Sequence, residues 1–333
     1  MSLLADVLIL GASLIILDQA SSLTIRNTVK VSEATSLRTA TLGFTLLAVS
    51  TSLPELSVTA FSAAAGEVGI AVGNVLGSNI ANVCVVLGVP AIVASLKKVS
   101  PLGCISCEAA KELGSLSFGL LIASLVPLSL VYLSFLGTLI GVPLLAVFLV
   151  YSYYLFNKGI TPESVEAVAP QKRAAPFSPL VPVALALLGV AGALVSSNFI
   201  VGSAANIAEA LGVPRTVIGA TIIAVGTSLP ELSLNYKACN ARQPGLALGN
   251  TIGSCFTNIT LILGVIFLFS PLRINFLVFM DLVIFSLISN LLLWYFLTVG
   301  RLGSREGLIL TFVYVAFLAT ILGVIQVSPP PSG

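Results

Sequence analysis

Residues 48–88 and 224–264 of this chain are two copies of one segment. The first reads AVSTSLPELSVTAFSAAAGEVGIAVGNVLGSNIANVCVVLG. The second reads AVGTSLPELSLNYKACNARQPGLALGNTIGSCFTNITLILG, at a constant offset of 176 with no gap. About 19 of the 41 positions are identical, far more than two unrelated apolar segments would share, so any fold for this chain has to contain two equivalent halves. The shared residues form two clusters. One is Thr51, Ser52, Pro54 and Glu55, repeated as Thr227, Ser228, Pro230 and Glu231. The other is Gly73, Asn74, Gly77, Ser78 and Asn82, repeated as Gly249, Asn250, Gly253, Ser254 and Asn258. The stretch between them, 59–64 against 235–240, has diverged. Packing against lipid would not preserve a subset that is polar, small or helix-breaking.

The duplication lies in a chain built for a bilayer. Charged residues make up 8% of the 333 positions, against about 25% in an ordinary soluble domain. Mean hydropathy is +1.10. So few charges do not cover a soluble protein of this size, and the apolar stretches read as an all-α polytopic membrane protein. Ten spans are expected, near 3–25, 38–63, 70–96, 115–131, 134–156, 179–208, 214–237, 246–269, 277–298 and 307–327. The first lacks a basic leader and a cleavage site and reads as a span, not a signal peptide. The organisation expected is a first five-helix repeat over 1–156, a polar linker over 157–178 and a second repeat over 179–333. Five is an odd number, so the second repeat enters the membrane inverted. About 13 Lys and Arg fall on the linker's side of these spans, and only Arg215 and Arg273 on the other. By the positive-inside bias, the linker is cytoplasmic and both termini are outside the cell membrane.

Composition also excludes function classes. A net charge of +2 without a basic stripe gives no footprint for nucleic acid. Five Cys in 333 residues do not make a disulfide scaffold. With no His at all, Ser-His-Asp triads, Cys-His dyads and His-ligated zinc or haem are ruled out. An intramembrane enzyme would then rest on Ser beside Glu without a base, which is weak.

What the duplicated motifs favour is cation chemistry. Pro54 has no N–H for the carbonyl of residue 50, and Pro230 none for that of Gly226, so each opens a helix turn and frees backbone oxygens inside the bilayer. Thr and Ser hydroxyls add oxygens, and Glu55 and Glu231 each add a charge. Two such breaks facing each other form an oxygen-only cage with two carboxylates, which suits hard cations such as Ca²⁺ and Na⁺. Intramembrane carboxylates are expensive, and two in matching inverted motifs point to a transport site where the repeats meet. In the second motif, Ser78 and Asn82 share a helix face, as do Ser254 and Asn258. Gly73 and Gly77 allow a neighbouring helix to approach closely, which would bring Ser78 and Asn82 toward Glu55. Asp18 reads as an interfacial charge or an ion-path residue, and Asp281 as an acid near a helix start. Cys104-x-x-Cys107 lacks the two further ligands zinc would need. An antiporter fits two inverted breaks in one chain better than a channel, which builds its pore from several subunits.

These residues resemble the cation/calcium exchanger superfamily, in particular its prokaryotic sodium/calcium exchanger branch. The family's paired repeats carry a G-T-S-L-P-E-L core followed by G-N-x-x-G-S-N. Here they read S-T-S-L-P-E-L with G-N-V-L-G-S-N, and G-T-S-L-P-E-L with G-N-T-I-G-S-C. The C-terminal GRLGSREGLILTFVYVAFL is similar to the family's last loop and span, so the resemblance covers nearly the whole chain. It implies two inverted five-helix repeats and alternating-access exchange of Ca²⁺ against Na⁺. By motif position it implies Glu55 and Glu231 as the principal ligands, with the carbonyls of Thr51 and Thr227 flanking Ca²⁺. The carbonyls of Ala48 and Ala224, with oxygens of Ser52, Ser78, Thr227, Ser228 and Ser254, would complete Na⁺ sites. Asn82 and Asn258 would line the centre.

Three positions depart from the pattern. Ser50 replaces a motif glycine. Cys255 replaces an Asn and reads as a small packing residue. Asn258 stands where several relatives have Asp, leaving two carboxylates, which argues against K⁺ co-transport and keeps H⁺ open as the alternative counter-ion. The family's proton-coupled branch has a different core, which ranks Na⁺ first. The partners expected are the transported ions and the lipid bilayer, with no cofactor, nucleic acid or obligate protein partner.

Overall fold

The computed structural model describes residues 3–34, 52–96, 114, 117–127, 137–158, 180–240, 244–269, 276–300 and 302–323. Among them every regular element is helical. The sequence positions Ala48, Ser50, Thr51, Cys104, Cys107, Arg273 and 159–178 lie outside the described residues.

The first half contains α1 (Leu3–Ala34), α2 (Leu53–Ala64), α3 (Val68–Ala81), α4 (Gly88–Leu96) and α5 (Gly137–Lys158). A π-helical turn, Asn82–Leu87, joins α3 to α4. The second half contains α6 (Leu180–Leu211), α7 (Arg215–Ile218), α8 (Ala224–Thr227), α9 (Leu229–Asn240), α10 (Pro244–Thr257), α11 (Leu263–Phe269), α12 (Phe276–Val299) and α13 (Ser304–Ile321). Here π-turns at Gly219–Ile223 and Asn258–Ile262 join α7 to α8 and α10 to α11. Six described helices are long and apolar enough to cross a membrane, and the bent pair Arg215–Thr227 and Leu229–Tyr236 makes a seventh when counted as one span. Ser117–Pro127 and Gly141–Val150 are shorter apolar helices at the places expected for the fourth and fifth spans.

Burial separates the spans by role. The stretches Val68–Val93 and Ala247–Leu268 are 83% buried, whereas Leu3–Thr24 and Leu180–Leu211 are buried over 33% and 28% of their apolar windows. The duplicated second motif therefore runs through the centre of the molecule, and α1 and α6 lie at its lipid-facing edge. Both outer helices are 32 residues long. At 1.5 Å per residue that is about 48 Å, against a hydrocarbon core of about 30 Å. The expected span 3–25 covered only the apolar part of α1, whereas 179–208 matches nearly all of α6. They pack along each other at small residues: a Cβ at Gly189 would lie 2.7 Å from the Ala20 carbonyl oxygen and 2.9 Å from the Thr24 nitrogen. Thr24 Oγ1 donates back to Ala20 O at 3.0 Å, so its hydroxyl is satisfied within the bilayer.

The two halves interlock through glycine. A Cβ at Gly77 would lie 2.5 Å from Ala220 O and 2.6 Å from Ala220 Cα, and one at Gly219 would lie 2.6 Å from Ile70 O. The expected small-residue face of α3 therefore meets α7 and the π-turn after it, in the other repeat. Two further contacts mirror each other. Gly307 on α13 abuts the Gly88 carbonyl on α4, and Gly141 on α5 abuts the Gly264 carbonyl on α11, at 2.6 and 2.7 Å from the missing Cβ. Gly88 and Gly264 occupy equivalent repeat positions, so the equivalence extends beyond the aligned segment into the last helix of each half. Left-handed glycines close helices where the chain has to turn: Gly66 (φ 77°) after α2 and Gly212 (φ 65°) after α6.

Candidate cation site

The proline break of the second repeat is a helix restart, and in the first repeat the proline lies in the first turn of a helix. In the second repeat α8 ends at Thr227, Ser228 sits between with φ −86° and ψ 7°, and α9 begins at Leu229. The two arms of this span meet at 41°. In the first repeat α2 begins at Leu53 behind Ser52, with φ −82° and ψ 11°. Each proline sits in the first turn of its new helix, where a missing N–H costs nothing, and each glutamate follows one residue later. The positive end of the helix dipole therefore lies beside each carboxylate.

Glu55 and Glu231 are both fully buried, at 0% exposure. Ser228 Oγ of the second repeat donates to Glu55 Oε1 at 3.2 Å. Ser254 Oγ approaches Glu231 Oε1 at 3.5 Å, within its own repeat. Ser78 crosses between the repeats, reaching Ala224 O at 3.4 Å and Thr227 Oγ1 at 3.3 Å. Its partner Thr227 precedes Ser228, the residue that donates to Glu55. The π-turns start at the two motif asparagines, Asn82 and Asn258. Such turns recur at functional sites because the extra residue re-aims the side chains that follow. The Asn82 turn packs on α9, which carries Glu231, and the Asn258 turn packs on α2, which carries Glu55. Among the sequence-nominated residues that are described, the structure buries Ser52, Glu55, Ser78, Asn82, Ala224, Thr227, Ser228, Glu231, Ser254 and Asn258 together. Ala48 and Thr51 lie outside the described residues.

The hydrogen bonding of this centre does not close. Glu55 Oε2, Glu231 Oε2, Ser52 Oγ, Asn258 Oδ1 and both polar atoms of Asn82 are buried without a hydrogen-bond partner among the described residues. Each such group costs about 1–3 kcal/mol, and more when charged. Five of these six atoms are oxygens, and no group of three or more His, Cys, Asp or Glu occurs among the described residues. This donor set fits a hard cation that brings its own charge to the carboxylates.

A second layer lies behind the residues that the sequence nominated. Asn74 Nδ2 donates to Glu55 O at 3.3 Å and to Thr59 Oγ1 at 3.1 Å, and Asn74 Oδ1 lies 3.1 Å from Thr227 Oγ1. In the other copy Asn250 Nδ2 donates to Asn235 Oδ1 at 2.9 Å, and Asn235 Nδ2 donates to Thr251 Oγ1 at 2.8 Å. Positions 59 and 235 are equivalent, so the stretch that looks like diverged filler begins with a shared brace. The identity of Asn74 and Asn250 in both copies was the signal that could have found it. Asp18 accepts from Gln19 on its own helix, and Asp281 is half-buried near the start of α12.

The fold and the site define a class: a multi-pass helical membrane protein whose two halves meet at a buried, oxygen-lined, two-carboxylate centre. The chain matches the family model described as sodium/calcium exchanger protein over residues 6–157 and 181–323, and it belongs to that family. An uncharacterized membrane protein of Methanocaldococcus jannaschii is 31% identical over 84% of this chain and 86% of its own length. The sodium/calcium exchanger MaX1 of Methanosarcina acetivorans is 40% identical over 40% of this chain and 39% of its own. Among solved structures, the sodium-calcium exchanger NCX_Mj soaked with 10 mM Na⁺ and zero Ca²⁺ is 27% identical and superposes with a TM-score of 0.63, over 96% of this chain and 99% of that one. The fold is the sodium/calcium exchanger fold, and the protein is a membrane cation exchanger by family.

Proposed function

We propose that this chain is a secondary active antiporter that exchanges Ca²⁺ for Na⁺ by alternating access. The observation that carries the reading is the set of unpartnered buried oxygens around two fully buried glutamates, one from each repeat. One Ca²⁺ balances two carboxylates, and Na⁺ ions compete for the same oxygens. The ligand set is Glu55 and Glu231, with hydroxyls of Ser52, Ser78, Thr227, Ser228 and Ser254, carbonyls of Ala48, Thr51, Ala224 and Thr227, and the amides of Asn82 and Asn258. The sodium/calcium exchanger names carried by MaX1 and NCX_Mj support this choice of ions. The repeats are 1–156 and 179–333. The 157–178 linker faces the cytoplasm, and both termini lie outside the cell membrane.

Proton coupling is the second reading, favoured by the presence of only two carboxylates, each able to take a proton in place of a cation. Ca²⁺ uptake into Na⁺-loaded proteoliposomes separates the two. Uptake collapses when choline replaces internal Na⁺ at constant pH if Na⁺ is the counter-ion. Uptake driven by a pH gradient without Na⁺ gives the proton reading instead, and conductance that needs no counter-ion gradient gives a channel.

A further inference from the structure

Where the second motifs of the two repeats touch, Asn79 and Cys255 are equivalent positions of unlike side-chain chemistry that contact each other. These residues face each other at the seam between the halves. Asn79 Nδ2 donates to the Cys255 carbonyl at 3.1 Å, and Cys255 Sγ approaches the Asn79 carbonyl at 3.8 Å. Both are buried, at 1% and 0% exposure. The backbones are therefore matched, but the side chains are not. Asn79 has spent its amino group on Cys255, which leaves its Oδ1 as an acceptor, and Asn258 Nδ2 donates to that oxygen at 3.0 Å. The mirror bond, from Asn82 to a side chain at position 255, is not made: Asn82 Nδ2 and Oδ1 are both without a partner among the described residues, while Asn258 keeps only its Oδ1 free.

A carboxamide has two unlike ends. Its oxygen is a ligand for a cation, and its amino group is a positively polarised donor that repels one. Which end faces the site decides whether Asn258 binds or obstructs. We propose that Asn79 is a positioning residue: by accepting from Asn258 Nδ2, it fixes the Asn258 carboxamide with its oxygen toward the transported cation. Asn82 has no such anchor and turns either end inward. The centre thus has one fixed amide ligand and one adjustable one, an asymmetry created by the Asn79/Cys255 mismatch. This assignment rests on the reading of Asn258 as part of the cation site.

The test is equilibrium Ca²⁺ binding to the purified full-length protein in detergent, with wild type, Asn79→Leu, Asn258→Asp and the double variant. Asn79→Ser serves as a second probe should the leucine variant fail to give a monodisperse protein. Asn79→Leu and Asn79→Ser are expected to raise the Ca²⁺ Kd about tenfold. In Asn258→Asp both ends of the side chain are oxygen, so there is no wrong end to hold back, and adding Asn79→Leu there is expected to change Kd less than twofold. A purely structural role for Asn79 leaves the tenfold loss intact in the Asn258→Asp background, and that result overturns the proposal, as does an unchanged Kd in both single Asn79 variants. Failure of the site reading looks different: there the wild type binds no Ca²⁺ and Asn258→Asp changes nothing.

Discussion

The carboxamide of Asn74 touches the Glu55 carbonyl and Thr59 in its own repeat and lies beside Thr227 in the other. Replacing it with Leu keeps the volume but removes the bonds to the Glu55 carbonyl and to Thr59 and the acceptor for Thr227, whose hydroxyl keeps Ser78 and Ala224 within reach. We expect Asn74→Leu to lower stability by about 2–3 kcal/mol, read as a drop in thermal midpoint in detergent without Ca²⁺; an unchanged midpoint would mean that the brace carries no load. Ser228→Ala strips Glu55 Oε1 of its hydroxyl donor and should weaken Na⁺ competition against Ca²⁺, measured as a higher inhibitory Na⁺ concentration. At this scale the sequence was informative where chemistry was duplicated letter for letter. The burial of Glu55 and Glu231 could be read from it because they stand in matching places of two apolar spans. Of the 59/235 brace only the Asn74 and Asn250 side was legible, because Thr59 and Asn235 fill the same role with different letters. Asn79 could not be read, because its meaning lies in what Cys255 fails to supply.

The broken span of the second repeat owes its geometry to a helix that stops and starts again. Pro230 has no N–H for the Gly226 carbonyl, which accepts a backbone N–H at the break instead, and the span bends by 41°. Pro230→Ala restores the missing N–H. The variant should straighten the span, raise thermal stability and weaken Ca²⁺ binding; tighter or equal binding would show that the bend does not shape the site. Gly77→Val tests the contact between halves, since a Cβ there already falls 2.5 Å from the Ala220 carbonyl. It should abolish a monodisperse, transport-competent protein, whereas normal yield and flux would mean the helices separate without consequence. Proline, glycine and apolar runs made the breaks and most spans legible. The π-turns at Asn82 and Asn258 were not, because one extra residue in a hydrogen-bonded turn barely alters hydrophobic periodicity. The true length of α1 was hidden for a related reason: hydropathy marks what lies in lipid and is silent on the polar turns beyond it.

Across the whole molecule the duplication accounts for the architecture. The matching glycine contacts of α4 with α13 and of α5 with α11 carry the pseudo-symmetry to the last helix of each half. An ion pair between Arg215 and Glu67 ties the start of the second half's broken span to the turn before α3. It is partly exposed, with Arg215 at 46%, so it contributes little to stability on its own. The central claim is that both halves contribute one essential carboxylate to one shared cation site. Ca²⁺ uptake into Na⁺-loaded proteoliposomes tests it most directly, comparing wild type with Glu55→Gln and Glu231→Gln, each checked for a monodisperse fold. A shared two-carboxylate site predicts that either substitution alone abolishes Na⁺-dependent Ca²⁺ uptake. Near wild-type exchange in either variant would contradict it.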